Sequence, residues 1–495
     1  MPDVSAYILG QAQKSFHDVS TADHPFLQMR QIARSALADA GIPPEQVDAV
    51  ACVDPLSWTY ADLGKKVAAA IGCNHSVKGL WMPAGGTTPQ DLLHDIAAAM
   101  KTGELDVAII VGAEAMRTRR KAVRAGEELD WPERDKTVSP MRGQRSFTSK
   151  WEAQHGLRLP IQLFPLLENA IRHAKSRDAE EQINIAAGLL HKNARVAANN
   201  PHAWFQDAPS AKEIATITAD NRMIAYPYSK RMNAIMDVDQ AAAIVVVSDR
   251  YLAQAGQRKQ AVAVLGGTGA EEVWNPIQRK SLSECLAMKV ALKSTLKRGG
   301  LRVDEVDAFD FYSCFPAPIE LALDALQIDF RDPRPFSITG GLAYAGGPGN
   351  NYVMHSLATA VARLRHNPNE RILVTGVGMA NTKHAATLLA HAENVPHSAT
   401  GLTDYRIETA DSALVVDTKA SGTCTVVTYT IEYNRDGDPV NVIYILDTRD
   451  SKRAIANVID PSAATSQILK SDPIGKTGEL IWDEQQERQF FNLQA

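Results

Sequence analysis

Two stretches of this sequence, about 260 residues apart, repeat the same order of features. Each begins with a short acidic turn that leads into an apolar segment, Gln46 to Val50 in the first copy and Glu305 to Phe309 in the second. Each then contains a glycine pair, Gly85-Gly86 or Gly346-Gly347, followed by a helical pattern and another apolar segment. We interpret this order as a duplicated α/β unit, although any α/β protein repeats strand, turn and helix to some extent.

In the second copy, three turns rich in small or thiol-bearing residues lie beside predicted buried strands or helix starts. They are the loop Tyr312 to Pro316, the glycine run Gly340 to Asn351 and the turn Gly376 to Met379. Small residues let a ligand approach the backbone closely, and the free N–H groups at a helix start can hold negative charge. These turns therefore outline a candidate binding site.

Five motifs, taken in their order along the chain, resemble the thiolase superfamily. They are a glycine-rich turn ahead of Met116, the run Asp237 to Ala243 entering a strand, Ser313-Cys314-Phe315, Gly346-Gly347-Pro348, and Gly376 to Met379. The resemblance covers Ser5 to Leu389. The chain is most similar to bacterial thiolase-like proteins of the acetyl-CoA acetyltransferase type that have an extra C-terminal domain. This resemblance implies a duplicated, five-layer αβαβα thiolase fold with an inserted loop domain. It also implies CoA or an acyl-CoA as substrate or ligand, with no other cofactor.

The resemblance and the composition together divide the chain into four parts. Residues 1–116 and 231–260 are predicted to form the N-terminal half, 261–393 the C-terminal half, and 117–230 a loop domain that covers CoA. Beyond residue 400 the apolar residues alternate as in strands, and a hairpin is predicted around Asp436 to Pro439. Residues 400–495 therefore predict a small β-barrel-like domain, similar to the oligonucleotide/oligosaccharide-binding (OB) fold.

Composition excludes several classes of protein. The 495 residues carry a formal net charge of −5, so nucleic acid is not expected as a main partner. They contain no basic, apolar leader and no apolar run long enough for a membrane span, which predicts a cytoplasmic protein without a membrane partner. Five scattered cysteines without C-x-x-C spacing indicate neither a disulfide framework nor a metal site. The cationic run Arg117 to Arg124 fits either a phosphate site or a solvated helix face.

The resemblance implies a demanding set of catalytic groups, and this chain departs from it at three positions. Thiolases use a cysteine nucleophile at a helix N-terminus, a histidine that activates it, and a second cysteine as acid and base. The corresponding positions here hold Thr87, Gly347 and Val374. Conventional thiolase activity is therefore not expected.

Cys314 is the remaining reactive side chain that matches a family motif. One branch of the superfamily uses the cysteine of His-Asp-Cys-Phe as acid and base, and here Tyr312 and Ser313 replace the histidine and the aspartate. His384, just after the turn at Gly378, is the candidate catalytic partner of Cys314, whereas His355 is expected to pack in the core. A buried, inert thiol is the alternative interpretation of Cys314.

The resemblance also implies a set of ligand-binding residues in the turns and in the loop domain. They are Gly86, Thr87, Thr88, Trp204, Gly346, Gly347, Asn351 and Gly378. Two functions remain open: an acyltransferase or thioesterase-like enzyme that acts on acyl-CoA and depends on Cys314, and a non-catalytic protein that binds CoA or acyl-CoA. Monomer and homodimer are both compatible with the sequence.

Overall fold

The computed structural model describes residues 3–18, 23–74, 78–81, 85–135, 146–402, 405–409 and 412–494. Pro83 and Ala84, which precede the first glycine pair, lie outside these ranges. Within the ranges, no helix combines the length and the apolar character that crossing a membrane would need.

Strands and helices alternate through most of the chain. The first half contains β1 (Ala6–Ser15), α1 (Pro25–Ala40), β2 (Ala49–Cys52), α2 (Leu63–Ile71), β3 (Lys78–Trp81), α3 (Thr88–Lys101) and β4 (Val107–Ala115). The inserted segment contains α4 (Met116–Ala125), α5 (Lys150–Gln154), α6 (Pro160–Ala174), α7 (Ala179–Ala197), α8 (Ala211–Ala215), β5 (Met223–Ala225) and β6 (Tyr228–Ser229). The chain then returns to the first half with β7 (Asp239–Ser248) and α9 (Asp249–Ala255).

The remaining elements belong to the second half and to the C-terminal part. The second half contains β8 (Val262–Glu271), α10 (Leu286–Gly299), β9 (Ala308–Asp310), α11 (Pro316–Leu326), α12 (Tyr352–His366), β10 (Arg371–Gly378) and β11 (Lys383–His391). The C-terminal part contains β12 (Arg406–Glu408), β13 (Gly422–Tyr433), β14 (Pro439–Thr448), β15 (Arg453–Ala456), α13 (Pro461–Lys470), β16 (Thr477–Asp483) and β17 (Arg488–Leu493).

The two halves have the same strand order. It is β3-β2-β4-β7-β1 in the first half and β9-β10-β11-β8 in the second. Pro335 and Phe336 accept hydrogen bonds from the segment of β9, in the place that β3 takes beside β2. Strand β2 runs parallel to β4, as β9 does to β10, and the next strands in each half are antiparallel. Two residue pairs between β1 and β8 connect the sheet of the first half to that of the second at one edge. The duplication predicted from the sequence is confirmed.

Two helices, α3 and α12, lie between the halves. They contact each other and strands of both halves, whereas α1 and α2 cover the first half from outside and α10, with α11 beside it, covers the second. Polar groups on an enclosed helix need partners within the protein. Gln90 Nε2 of α3 accordingly donates to Val374 O and to Thr387 Oγ1, both at 3.0 Å, on strands of the second half. This is the predicted five-layer αβαβα arrangement.

The C-terminal strands form a second sheet in the order β15-β14-β13-β16-β17, which has its own apolar core. Strand β13 also pairs with β5 of the inserted segment, at Glu432 and Ala225. Strand β12 instead adds to the main sheet beside β8. One parallel bridge between Asn457 and Phe490 links the two edges of the second sheet, but its described strands do not close into a barrel. The predicted C-terminal β domain is therefore present as an open sheet.

Candidate ligand-binding cavity

A cavity of about 420 Å³ lies where the two halves meet the inserted segment. The first half contributes Leu56 and the glycine pair Gly85-Gly86. The second half contributes Tyr312, Cys314, Gly347, Val377 and Met379. The inserted segment contributes Leu159, Ile161 and Phe164, at the start of α6. Since most of these side chains are apolar, the cavity suits a ligand that is largely apolar itself.

Helix α3 begins at this cavity, directly after Gly86 and Thr87. A Cβ atom on Gly86 would lie 2.2 Å from Val377 O and 2.7 Å from Tyr312 Oη, so a side chain there would block this close approach to the second half. The backbone N–H groups of Gly86 and Thr87 form no hydrogen bond within the described part of the chain. They lie beside Gly378, whose Cβ position is 3.3 Å from Gly86 N. Such free N–H groups can bind a carbonyl oxygen or an anion.

The three residues that the family resemblance places at the catalytic positions, Thr87, Gly347 and Val374, offer no reactive group to this cavity. Thr87 is 1% exposed, and its Oγ1 donates to Asp91 Oδ2 (2.9 Å) one turn along α3. Asp91 in turn forms an ion pair with Lys383 Nζ (3.2 Å). Gly347 has no side chain, and Val374 is fully buried in β10. Neither a nucleophile nor a base is therefore available at these positions.

Cys314 lines the cavity and keeps part of its surface accessible there. Burial among apolar groups raises the pKa of its thiol, and the backbone hydrogen bond from Phe315 offsets only part of that shift. The pKa of Tyr312, also in the cavity wall, is raised by burial and by its proximity to Cys314. Both groups are therefore protonated at neutral pH. They can donate hydrogen bonds to a ligand, but Cys314 is a poor nucleophile.

The structure does not bring His384 to Cys314. His384 pairs across the sheet with Val377, and its side chain lies on the side of β11 that faces Cys285, the residue before α10. Its Nε2 is 3.2 Å from Cys285 Sγ and 3.1 Å from Asn381 O, and burial lowers its pKa to about 4. The predicted Cys314–His384 pair therefore does not form. His355, as expected, is buried in the core, where Nδ1 lies 3.1 Å from Gln13 Oε1.

Of the predicted ligand-binding residues, Gly86 and Gly347 line the cavity and Gly378 adjoins it. The others pack behind it. Thr88 is fully buried at the start of α3. A Cβ on Gly346 would lie 2.3 Å from Gln240 Oε1, and Asn351 Oδ1 would lie 2.0 Å from a Cβ on Gly112. Gly346 and Asn351 thus serve the close packing of the two halves.

Trp204 is nearly buried and does not line the cavity. The Trp204 ring stacks on the His17 ring, with 4.4 Å between the ring centroids. The Arg117 guanidinium lies 5.4 Å from the centroid of the Trp204 ring. The backbone N–H of Trp204 donates to Ala345 O (3.0 Å). Trp204 therefore supports the glycine run at Ala345, two residues before Gly347, and its position does not indicate direct contact with a ligand in the cavity.

Sequence reasoning missed Asn350, which ties the halves together at the cavity. Its Oδ1 accepts from Gly85 N (3.0 Å), and its Nδ2 donates to Asp54 O (2.8 Å). The side chain thus holds the glycine pair of the first half in place from the start of α12. The available sequence signal was that Asn350 lies in the glycine run, next to the predicted residue Asn351. The two side chains nevertheless contact different residues, since Asn350 bonds to Gly85 and Asp54 whereas Asn351 packs against Gly112.

Helix α6 was also missed as a wall of the cavity. Phe164 of α6 stacks on Phe315 at 4.6 Å, directly beside Cys314. The other face of α6 packs on the C-terminal sheet, where Thr428 Oγ1 donates to Leu166 O (2.6 Å) and Asn169 Nδ2 donates to Tyr429 O (2.9 Å). Arg172 near the helix end forms an ion pair with Asp472 (2.9 Å). The C-terminal sheet therefore braces the cavity wall.

A buried carboxyl pair lies behind this wall. Glu168 of α6 and Glu320 of α11 both accept from Gln182 Nε2, and Arg177 Nη1 donates to Glu320 (2.6 Å). Tyr228 Oη donates to Glu168 Oε2 (2.5 Å), and its ring stacks on Phe315 at 5.6 Å. Burial and the neighbouring Glu320 raise the pKa of Glu168 to about 8. The Gln182 amide therefore links α6 to α11, the helix that follows Cys314, and Glu168 remains largely protonated at neutral pH.

Comparison with known proteins agrees with this architecture. Residues 408–485 match the family model described as the thiolase-like protein type 1 additional C-terminal domain. Over its full length and that of the other chain, this protein is similar to a monomeric SCP2-thiolase like protein type 1 from Mycobacterium smegmatis, at 26% identity and a TM-score of 0.81. A search of curated proteins finds no match.

Two further solved structures share the fold of the main part of the chain. The acetyl-CoA acetyltransferase from Syntrophomonas wolfei matches 78% of this chain and 99% of its own, at 13% identity and a TM-score of 0.59. Human mitochondrial 3-ketoacyl-CoA thiolase, solved in complex with CoA, matches 78% of this chain and 98% of its own, at 14% identity and a TM-score of 0.56. The chain therefore has the thiolase fold followed by the additional C-terminal domain of type 1 thiolase-like proteins, which confirms the thiolase-like prediction.

Proposed function

We propose that this protein binds CoA or an acyl-CoA without carrying out thiolase chemistry. The observation that carries the proposal is the apolar cavity that ends at the start of α3, where the N–H groups of Gly86 and Thr87 form no hydrogen bond with any described residue. An acyl thioester has the matching chemistry, because it joins an apolar chain to a carbonyl oxygen. The CoA complex of the human thiolase, whose fold is the same, gives this ligand class further support.

The cavity suggests how such a thioester would lie. Its carbonyl oxygen would accept hydrogen bonds at the start of α3, beside Gly378, in the manner of an oxyanion site. Its acyl group would lie against Ile161 and Phe164 of α6. The thiol of Cys314 and the hydroxyl of Tyr312 remain protonated beside it and can donate to the ligand.

Acyl transfer through Cys314 is the second candidate function. It is favoured by one observation, namely that Cys314 is a partly accessible thiol in the cavity wall. It is opposed by the raised pKa of that thiol and by the position of His384, which lies against Cys285. A binding protein therefore accounts better for this set of residues.

Calorimetric titration with CoA and acetyl-CoA tests the proposal directly, and an acetoacetyl-CoA thiolysis assay should give only the background rate. A leucine at Gly347 would extend between Ala234 and Leu342, which line the cavity, so Gly347→Leu should abolish binding. Gly188→Leu is the matched control, since no atom lies within 4 Å of a Cβ there. Absence of binding by the wild type at millimolar CoA would refute the proposal, and rapid thiolysis would refute the non-catalytic assignment.

We also propose that the C-terminal domain is OB-like and has a structural role. Counted from β13, the third strand is β15, and α13 lies between it and the fourth strand, β16. The third and fifth strands, β15 and β17, are the edges that meet at the Asn457–Phe490 bridge. This connectivity is that of a five-stranded OB barrel that has not fully closed.

Since the relative from Mycobacterium smegmatis is described as monomeric, we propose a monomer, which light scattering on the full chain would test.

A further inference from the structure

A cluster of cationic side chains beside the cavity is not used by the function proposed above. Helix α4 and the segment after it supply Arg117, Arg119, Arg120, Lys121, Arg124 and Arg134. The chain as a whole carries a net charge of −5, so this concentration of positive charge is local. Five acidic residues, Glu127, Glu128, Asp130, Glu133 and Asp135, follow the helix, so the excess of positive charge lies on α4 itself, which contains no acidic residue.

Three guanidinium groups of this cluster, those of Arg119, Arg120 and Arg134, lie close enough to repel one another. The pKa of Arg119 is lowered by burial and by its neighbours Arg134 and Arg120. Arg120 Nη1 reaches Asp237 Oδ1 only at 3.9 Å, which is long for an ion pair. Arg134 stacks its guanidinium on Trp58 at 4.4 Å, and its Nε has no hydrogen-bond partner among the described residues. An anion at this place would relieve the repulsion.

The cluster borders the cavity at two points. Asp237, the partner of Arg120, directly follows Met236, which lines the cavity. On the other side, the carboxylate of Glu114 acts on the charge of Arg119 and accepts from the N–H of Leu56 (2.6 Å), a second lining residue. Through Asp237 and Glu114, Arg120 and Arg119 are therefore connected to residues of the cavity wall.

We propose that Arg119, Arg120 and Arg134 form a phosphate site for the nucleotide end of the ligand whose acyl end lies in the cavity. The inference rests on the proposed function and names the residues that would recognise the charged end of CoA. Guanidinium groups suit this task because they stay ionised and donate two parallel hydrogen bonds to phosphate oxygens. The same chemistry could come from the diphosphate or from the 3′-phosphate of CoA.

Calorimetry with three ligands separates these sources. The ligands are an acyl-CoA, its 3′-dephospho form, and the same acyl group on pantetheine, which carries no phosphate. We expect the double substitution Arg119→Gln, Arg120→Gln to weaken acyl-CoA binding at least tenfold and to reduce its salt dependence. Binding of acyl-pantetheine should be unchanged. The double substitution Arg302→Gln, Arg331→Gln is the matched control for net charge, because both arginines are exposed residues of the second half that pair with Asp304 and Asp329.

The outcomes are distinct. If the double variant affects acyl-CoA and its dephospho form equally, the diphosphate is the group bound, and if it affects only acyl-CoA, the 3′-phosphate is. An acyl-CoA affinity equal to that of the wild type would overturn the phosphate site, as would an equal loss for acyl-pantetheine. Failure of the wild type to bind either thioester would refute the proposed function, and the phosphate site with it.

Discussion

The two halves of this protein share one topology but contribute different parts to the cavity. The first half presents the start of a helix, with Gly86 and Thr87 at its end. In the second half, the first residue of α12 is instead occupied by contacts within the protein. Tyr352 Oη hydrogen bonds to the buried carboxylate of Asp310 (3.1 Å) and to Thr339 Oγ1 (2.6 Å). The second half contributes loop residues instead, among them Cys314. Duplication thus built the scaffold, and the cavity depends on what each copy added to it.

The insertions reinforce this asymmetry. Between β4 and β7 the first half carries the inserted segment with α6, whereas β10 and β11, their counterparts in the second half, are joined by a turn from Met379 to Thr382. Helix α6 crosses from its own half to the loop after β9, where Phe164 stacks on Phe315. The cavity therefore forms only where an insertion of one copy meets a loop of the other.

The equivalent glycines of the two pairs give the largest expected contrast. We expect Gly86→Ala to destabilise the protein by roughly 3 kcal/mol, because its Cβ would lie 2.2 Å from a backbone oxygen, Val377 O. Gly347→Ala should cost less than about 1 kcal/mol, since its closest neighbour, Ile235 O, is 3.2 Å away. Urea unfolding measures both changes. Equal losses would mean that the halves approach each other differently at the cavity.

The proton that Glu168 holds behind α6 should make stability fall as pH rises toward alkaline values. The folded protein keeps Glu168 protonated up to its raised pKa of about 8, whereas the unfolded chain releases that proton near the ordinary value for glutamate. Stability is therefore present at low pH and is lost as pH rises through about 8. Between pH 6 and pH 9 we expect a loss of roughly 2 kcal/mol in the wild type and a much smaller one in Glu168→Gln. Urea unfolding at each pH gives the two profiles, and parallel profiles would show that Glu168 is ionised in the folded state.

The sequence predicted best those features that depend on residues close together in the chain, and it predicted poorly those that depend on residues far apart in it. The duplicated order and the glycine turns are local patterns, because a close backbone approach requires glycine wherever its partner lies. The position of His384 was not predictable in this way, since one residue along a strand decides which face of the sheet a side chain occupies. The wall formed by α6 depends on Thr428 and Tyr429, which are distant in the sequence from Leu166 and Asn169.

The C-terminal sheet should stabilise α6 by a smaller amount. Thr428→Val removes the hydroxyl that donates to Leu166 O at 2.6 Å in a buried contact, and we expect a loss of roughly 1 kcal/mol. Thr425→Val, on the same strand but partly exposed, should change stability by less than about 0.5 kcal/mol. If both variants unfold at the same urea concentration, this contact does not brace the cavity wall.

The smallest expected effect concerns Cys314, the reactive side chain that the second half contributes to the cavity. Because burial raises the pKa of its thiol, little thiolate exists at neutral pH, and alkylation by iodoacetamide should be slow at pH 7 and accelerate as pH rises. Cys314→Ala should change CoA affinity by less than about twofold, since a neutral thiol contributes one weak donor to the ligand. Mass spectrometry of the alkylated protein and calorimetry of the variant measure the two effects. Rapid alkylation at pH 7 would show that a cation or a helix start lowers the pKa of Cys314, and the second half would then supply a nucleophile opposite the N–H donors of the first half.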